Sequence, residues 1–440
     1  MRLPHAIALV VGTIIGASIF VQPSEVTTQV HSVQAVLLVW LFAGALTLIG
    51  SLVCAELAST FTRTGGVYVY LSEAFHPALG FLWGWAMLLT MHSGIIAAIA
   101  TVFARYVGFF VPLGTAGGRI VAIGVILVLS VVNYLGVQHG ARLQTLFTAG
   151  KVLAVLLIVF IGFLLGGRVE QHFVGSATAH GETLGGFLRA MVAALFTYGG
   201  WHMVTYSSEE TVDPAKTIPR ALIIGTLAVT AAYMAMNAVY LYVLPLDKVA
   251  SSTRVAADLA DVLLGSGGAG VMSAIVIFST FGGLTGIILT GPRVYYAMAQ
   301  DKLLFSWLGE LHPRYGTPHR AIILQAIWSS ILVATGTFRA LFTRVVYTEW
   351  LFFGLLAIGM ILLRRRSDLT RQYSMRGAPI LPIVFAVSSF AIVVNTVRSQ
   401  PKDALIGLAL VAVGWPIYIF WARRNAERST SDLRAQTSDL

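Results

Sequence analysis

Apolar runs of about 20 residues, the length a helix needs to cross ~30 Å of hydrocarbon, recur along almost the whole of this 440-residue chain. In lipid the backbone has no water to bond with, so such runs must pair their own amides and carbonyls. Composition agrees. Only 11% of residues are charged and 57% are hydrophobic, with a mean hydropathy of +0.81. A soluble domain carries roughly 25% charged residues, so too little charge is present here to cover a water-facing surface. The chain reads as an all-α polytopic membrane protein.

The single cysteine, Cys54, lies inside an apolar run, which leaves no internal disulfide and no thiolate metal site. The first apolar segment starts within a few residues of Met1 and has no evident small-x-small cleavage site, so it is expected to serve as its own insertion signal. The net charge of +10 could suggest nucleic acid, but its distribution fits membrane topology.

Hydropathy, with Gly, Pro and charge as punctuation, predicts twelve transmembrane helices near 5–30, 33–60, 78–111, 119–137, 145–167, 183–209, 220–244, 268–299, 319–336, 341–363, 379–397 and 403–421. The first, third, sixth and eighth are irregular or over-long. With the amino terminus inside, the inner loops and tails hold twice as many Lys and Arg as the outer ones. The positive-inside rule then puts both termini in the cytoplasm, and Arg364, Arg365 and Arg366 form an inner-face anchor. Residues 1–421 are expected to form one transmembrane domain, with 422–440 a cytoplasmic tail.

Two of these segments are weak at membrane depth. The first carries GTIIGASIF at 12–20; the sixth, five helices on, carries TYGGWH at 197–202. Glycine-interrupted helices in corresponding positions of two halves point to an inverted-repeat transporter with its substrate at the interruptions. The repeats would run from about 5 to 167 and from about 183 to 363, with 379–421 added. A break exposes carbonyls at the end of one half-helix and amides at the start of the next, tolerable only beside a polar cavity or ligand. Amide ends attract anions and carbonyl ends attract cations, so a zwitterionic α-amino acid suits the pair. Gly12 and Gly16 also fit a GxxxG packing face, which stays open as an alternative.

Ionisable residues inside the segments are few. Lys151 falls about six residues into the fifth helix, roughly 9 Å deep; an intramembrane charge has a partner or a task, unless it snorkels to the interface. Glu56, Glu209 and Glu210 are expected in interfacial networks with nearby arginines, and Glu349 and Arg344 are read as interfacial too. His92 and His202 are membrane-embedded; His202 adjoins the second break. No HExxH, nucleophile-elbow, P-loop or metal-ligand cluster occurs. The chain is therefore expected to be no enzyme and to need no metal or cofactor.

At these residues the chain resembles the amino acid–polyamine–organocation superfamily, and within it the L-type amino acid transporter branch. GTIIGASIF is similar to that family's GxIIG[SA]GIF. AELAST at 55–60 with TGGVYVYL at 64–71 resembles AELG…SGGxYxYL. LFTYGGW at 195–201 and SEETVDP at 208–214 match the sixth-helix pattern and its exit loop, and STFGGLTG at 279–286 with RVYYAMAQD at 293–301 resembles the eighth helix. WLFFG at 350–354, the three arginines, and Pro379 with Pro382 resemble the tenth helix and its loop. The likeness covers nearly the whole chain.

The resemblance implies a LeuT-type 5+5 inverted repeat, with helices 1 and 6 discontinuous, and sodium-independent transport of L-amino acids by uniport, exchange or proton symport. It implies a substrate site at Ile14, Gly16, Ala17, Ser18, Ile19, Phe196, Thr197, Tyr198, Gly199 and His202. The substrate carboxylate would meet the amides of Ala17 and Ser18, and its ammonium the carbonyls of Ile14, Phe196 and Gly199. Phe196 would be the gate. Lys151 would stand in for a sodium ion, bridging the first break to Ser279 or Thr280. The chain departs from the pattern where Ala17 replaces a serine, Ser18 a glycine, His202 an asparagine, and Thr285 the asparagine before Gly286. The expected partners are an amino acid and the lipid bilayer of the cell membrane. With Cys54 deep in a helix, no disulfide-linked accessory subunit is expected. A polyamine or organocation carrier and a non-transporting sensor are the alternatives; the missing carboxylate near the breaks counts against the first, and the short tail against the second.

Overall fold

The computed structural model describes residues 1–136, 140–167, 169 and 183–423; nearly all of the expected tail lies outside these. Among the described residues there is no strand. The first segment is in three pieces: α1 (Leu3–Ile14), a 3-10 turn (Ala17–Phe20) and α2 (Gln22–Thr27). Helix α3 (Val33–Thr60) starts at Ser32, whose hydroxyl accepts from the Ala35 amide at 3.2 Å, a side-chain N-cap. After the short α4 (Val67–Ala74), α5 (Pro77–Ala86) and α6 (His92–Val107) run on through a π turn at Met87–Met91 as one 31-residue rod.

Next come α7 (Gly114–Tyr134), α8 (Gly140–Leu165) and the second divided segment, α9 (Leu184–Thr197) with a 3-10 stretch at Trp201–Ser207. Helix α10 (Pro214–Val243) leads through two short helices, α11 (Leu246–Ser251) and α12 (Val255–Leu264), to the 33-residue α13 (Gly268–Gln300). The chain closes with α14 (His319–Thr335), α15 (Phe338–Leu363), α16 (Ile380–Ser399) and α17 (Pro401–Ala412). Nine helices among the described residues are long and apolar enough to cross a membrane, while α1 and α14 are shorter apolar helices.

Packing explains which segments are all-apolar and which are mixed. Helix α8 turns Leu153, Leu156, Phe160 and Leu164 outward, whereas twelve of the sixteen residues of α6 are buried. Lipid tails are as apolar as leucine, so contact between helices depends on close approach and small residues. Helix α10 lies along α3 and α1, and a methyl added at Gly225 would come within 2.6 Å of Val10. Three buried hydroxyls are satisfied locally: Thr47, Thr90 and Ser389 each donate to the carbonyl four residues back. Helices α8 and α10 thus pack on α1 beside the first break, α3 packs on the second divided segment, and α6, α13 and α15 close the other side.

Both ends of the described chain lie on one face. The Val212 amide donates to the Met1 carbonyl at 2.8 Å, and Glu210 pairs with Arg293 of α13 at 3.2 Å. Just beyond that end of α13, Phe305 packs against Trp421, with ring centroids 5.4 Å apart.

Candidate functional site

The first break is a short excursion between helical turns. Helix α1 closes with the Ile15 amide on the Val11 carbonyl (2.8 Å); the Gly16 amide then folds back to Ile14 (2.7 Å). Gly16 is extended (φ −104°, ψ −164°) and the 3-10 turn starts at Ala17. The first amides of a helical turn have no acceptor within it, and Ala17 and Ser18 stand there. The second break follows the same plan. The Tyr198 amide closes on Ala194 and the Gly199 amide on Phe196, both at 3.1 Å, before Gly200 swings to φ +96° and a new helical stretch begins.

The breaks touch. The Thr13 hydroxyl, which also reaches back to Leu9 (2.8 Å) and Val10 (3.0 Å), shares its proton with the Gly200 carbonyl at 3.2 Å, and Tyr233 of α10 joins them from behind. Its Oη lies 2.8 Å from the Ile14 carbonyl and 3.3 Å from the Thr197 carbonyl. One phenolic proton serves two acceptors, so this buried side chain ties the carbonyl ends of both half-helices. Removing a partner from a buried polar group costs about 1–3 kcal/mol. Tyr233→Phe is expected to lose that much stability, read as a lowered midpoint of thermal unfolding in detergent.

Gly12 and Gly16 divide the two readings of their spacing. A methyl at Gly12 would sit 2.3 Å from the Thr148 hydroxyl of α8, so Gly12 is a packing glycine. At Gly16 the nearest atom would be 3.9 Å away, the Ile14 carbonyl oxygen. Gly16 faces a narrow cavity of about 20 Å³, room for little more than a single water molecule.

Of the residues expected at the site, Ile14, Gly16, Ser18, Phe196, Thr197 and Gly199 line that cavity. The side chains of Ala17, Ile19, Tyr198 and His202 do not. Tyr198 turns back to donate to the Trp40 carbonyl (3.2 Å). The His202 ring is boxed by Trp83, Trp201, Tyr206 and Phe353, with centroids 5.0–5.7 Å apart across this cluster, and its Nδ1 has no partner. Sequence reasoning did not find the apolar wall opposite, formed by Ile95 and Ile99 of α6, Ile287 of α13 and Val345 of α15.

Phe196 packs on Phe342, ring centroids 5.6 Å apart. Phe342 in turn lines a second cavity with Glu25, Gln29, Arg189 and Arg339. There Arg339 pairs with Glu25 and Arg189 Nε donates to Gln29 at 2.9 Å. The two phenylalanines therefore stand between the cavities.

Lys151 is buried and its ammonium donates to the Gly12 carbonyl at 3.4 Å. A methyl at Gly283 of α13 would lie 3.1 Å from Nζ, so the ammonium sits between α1 and α13. It makes no hydrogen bond to Ser279 or Thr280: Thr280 donates to Val276 (2.6 Å), and the buried Ser279 hydroxyl has no partner.

Glu349 corrects an expectation. Instead of lying at the interface, it is 5% exposed and lines the central cavity. Glu56, by contrast, joins Arg364 (2.7 Å from Nε) in the expected kind of interfacial pair. His92 bonds the Ile287 carbonyl at 2.7 Å, as a packing histidine does.

Comparison with known proteins bears on this geometry. The family model described as amino acid permease matches residues 2–419. The human large neutral amino acids transporter small subunit 2 is 32% identical, over 96% of this chain and 81% of its own length. The serine/threonine exchanger SteT of Bacillus subtilis is 31% identical over 96% of both chains. The human b(0,+)-type amino acid transporter 1 is 30% identical over 99% of this chain and 91% of its own.

Proposed function

The chain belongs to the amino acid permease family, and from that premise we propose how it carries L-amino acids: by alternating access, without sodium, through the cavity at the two breaks. It is a multi-pass membrane transporter and no enzyme. The observation that carries the mechanism is the meeting of both interrupted helices at one enclosed space, with Thr13 bonded to Gly200 and open room at Gly16. The substrate carboxylate meets the amides of Ala17 and Ser18, and the ammonium meets carbonyls of Ile14, Phe196 and Gly199. Ser18 brings a hydroxyl to this cavity, where it reads the substrate backbone.

The repeats run from about 5 to 167 and from about 183 to 363, so that each break sits in the first helix of its half. The chain lies in the cell membrane with both termini cytoplasmic, which the lysine and arginine distribution supports and which the shared face of Met1 and Trp421 fits. The Phe196–Phe342 pair is then the outer gate, below a vestibule containing Glu25 and Arg339. Cys54, the only cysteine, is buried in α3, so the transporter works without a disulfide-linked subunit. Glu349 does give the cavity a carboxylate, which removes one objection to a polyamine carrier; the names of the relatives favour amino acids.

Lys151 replaces the coupling cation: a fixed ammonium holds α1 against α13 where a sodium ion would otherwise be needed. Uptake of amino acids into proteoliposomes is expected to continue unchanged when sodium is replaced by choline. Lys151→Ala, by the same logic, should bring uptake to near background. A strict sodium requirement in the parent protein would sink this role.

A further inference from the structure

Glu349 is the one carboxylate lining the central cavity, and no hydrogen bond or ion pair joins it to any described residue. From α15 it lines a space walled largely by apolar side chains, among them Ile95, Ile99, Met203, Ile287 and Val345, with the hydroxyls of Thr13, Ser18 and Thr197 as its other polar lining side chains. The ionisable groups on the packed elements are otherwise engaged or turned away. His92 of α6 bonds the Ile287 carbonyl (2.7 Å), and His202 is enclosed by aromatic rings. Tyr206 donates to the Met87 sulfur (3.6 Å) and Arg293 of α13 pairs with Glu210. Tyr295 of α13 is buried with no partner for its hydroxyl. Arg344, five residues back on α15, is off Glu349's face of the helix. Lys151, between α1 and α13, donates to the Gly12 carbonyl and does not line the cavity.

A zwitterionic substrate brings no net charge, and both of its charges are met by the helix breaks. It therefore leaves a carboxylate at Glu349 uncompensated at membrane depth once the cavity closes, a costly arrangement in hydrocarbon. A cationic substrate side chain could compensate it, but its remaining N–H donors would find few acceptors along those apolar walls. A proton needs only the carboxylate itself.

We propose that Glu349 is the proton-carrying site that couples amino acid movement to a proton gradient. It takes up one proton as substrate enters on the outer side, stays neutral in the closed state, and releases that proton inside with the substrate. No bond other than the O–H bond forms or breaks. This rests on the transport reading above and adds the coupling ion to it.

The full chain in proteoliposomes, with a pH dye in the lumen, tests the assignment using the proteinogenic L-amino acids one at a time. Those that exchange at symmetric pH, where protons entering and leaving cancel, should acidify the lumen of unloaded vesicles on net uptake. An inward gradient of one pH unit should raise their accumulation by up to about tenfold, the ratio that one proton per substrate permits. Glu349→Gln should abolish substrate-evoked proton entry and make whatever exchange persists independent of pH. Glu349→Asp, which keeps the carboxyl group, should retain proton entry, so a folding failure of the first variant does not decide the matter. Uptake by the parent protein with no acidification and no response to the gradient would overturn the assignment. So would proton entry surviving in Glu349→Gln, or a loss in that variant confined to lysine and arginine uptake. Failure of every amino acid to exchange at any pH would instead count against the amino acid reading itself.

Discussion

Gly200→Ala is expected to abolish amino acid uptake while leaving the protein inserted and folded. Gly200 sits at φ +96°, in a region where a residue with a Cβ is strained by about 1–2 kcal/mol. The larger effect is contact. The added methyl would lie 2.9 Å from the Thr13 carbonyl oxygen and 3.2 Å from its carbon. These are backbone atoms of the other broken helix, which cannot rotate away as a flexible side-chain end could. One half-helix has to move, and with it goes the Thr13–Gly200 hydrogen bond. The Ile14 and Thr197 carbonyls would then lose their common distance from Tyr233. Gly16→Ala is the control. Its φ of −104° suits any residue and its methyl has room, so that variant should stay folded and change affinity or substrate range. Proteoliposome uptake measured beside thermal unfolding in detergent separates the two. A folded Gly200→Ala protein with parental uptake would show that the breaks do not have to touch.

The breaks were legible because glycine runs at membrane depth are costly and local, so GTIIGASIF and TYGGWH stand out from their apolar surroundings. What lies opposite them was not. Ile95, Ile99, Ile287 and Val345 look like every other apolar residue of their helices, and only the packing of α6, α13 and α15 makes them a cavity wall. Phe342 and Tyr233 are likewise defined by what they touch. The sequence spacing of Gly12 and Gly16 could not tell packing from access, because Thr148, which fills the space beside Gly12, comes from another helix. Glu349 was misplaced through depth. Helix α15 begins at Phe338, upstream of the expected start at 341. Glu349 is thus eleven residues inside it, roughly 17 Å along the axis, and far from the interface assumed for it. His202 shows the opposite error: adjacency in sequence to a break did not put its side chain in the cavity, since the 3-10 stretch turns it into an aromatic box.

Glu56→Ala should destabilise the protein most among changes made away from the cavity. The Glu56 side chain is 2% exposed near the carboxyl-terminal end of α3, and it links α3 to α15 and to the loop before α16. Arg364, at the end of α15, meets it with Nε at 2.7 Å and with a second guanidinium nitrogen, a two-pronged pairing. The hydrogen bond to Glu56 raises the Arg364 guanidinium above its ordinary pKa. The Met375 amide, in the loop before α16, donates to Glu56 at 2.7 Å. Arg364 also donates to the Met375 carbonyl at 3.0 Å, closing a ring of bonds among α3, α15 and the loop. Arg371 stands 4.0 Å from Glu56 and donates to the Leu363 carbonyl at 2.6 Å, so with Arg364 two cations converge on one carboxylate. Breaking a buried pair by deleting one partner typically costs about 3–5 kcal/mol, because the other charge is left uncompensated; Arg364 is partly exposed, so the lower end is expected here. Glu56→Ala should therefore unfold at clearly lower temperature than the parent in detergent. Glu56→Gln should recover part of the loss, since an amide oxygen can still accept from Met375 but cannot answer two guanidinium groups. Equal stability of all three proteins would mean that water and detergent headgroups take over both arginines. In that case α15 and the loop before α16 are held by their apolar contacts alone.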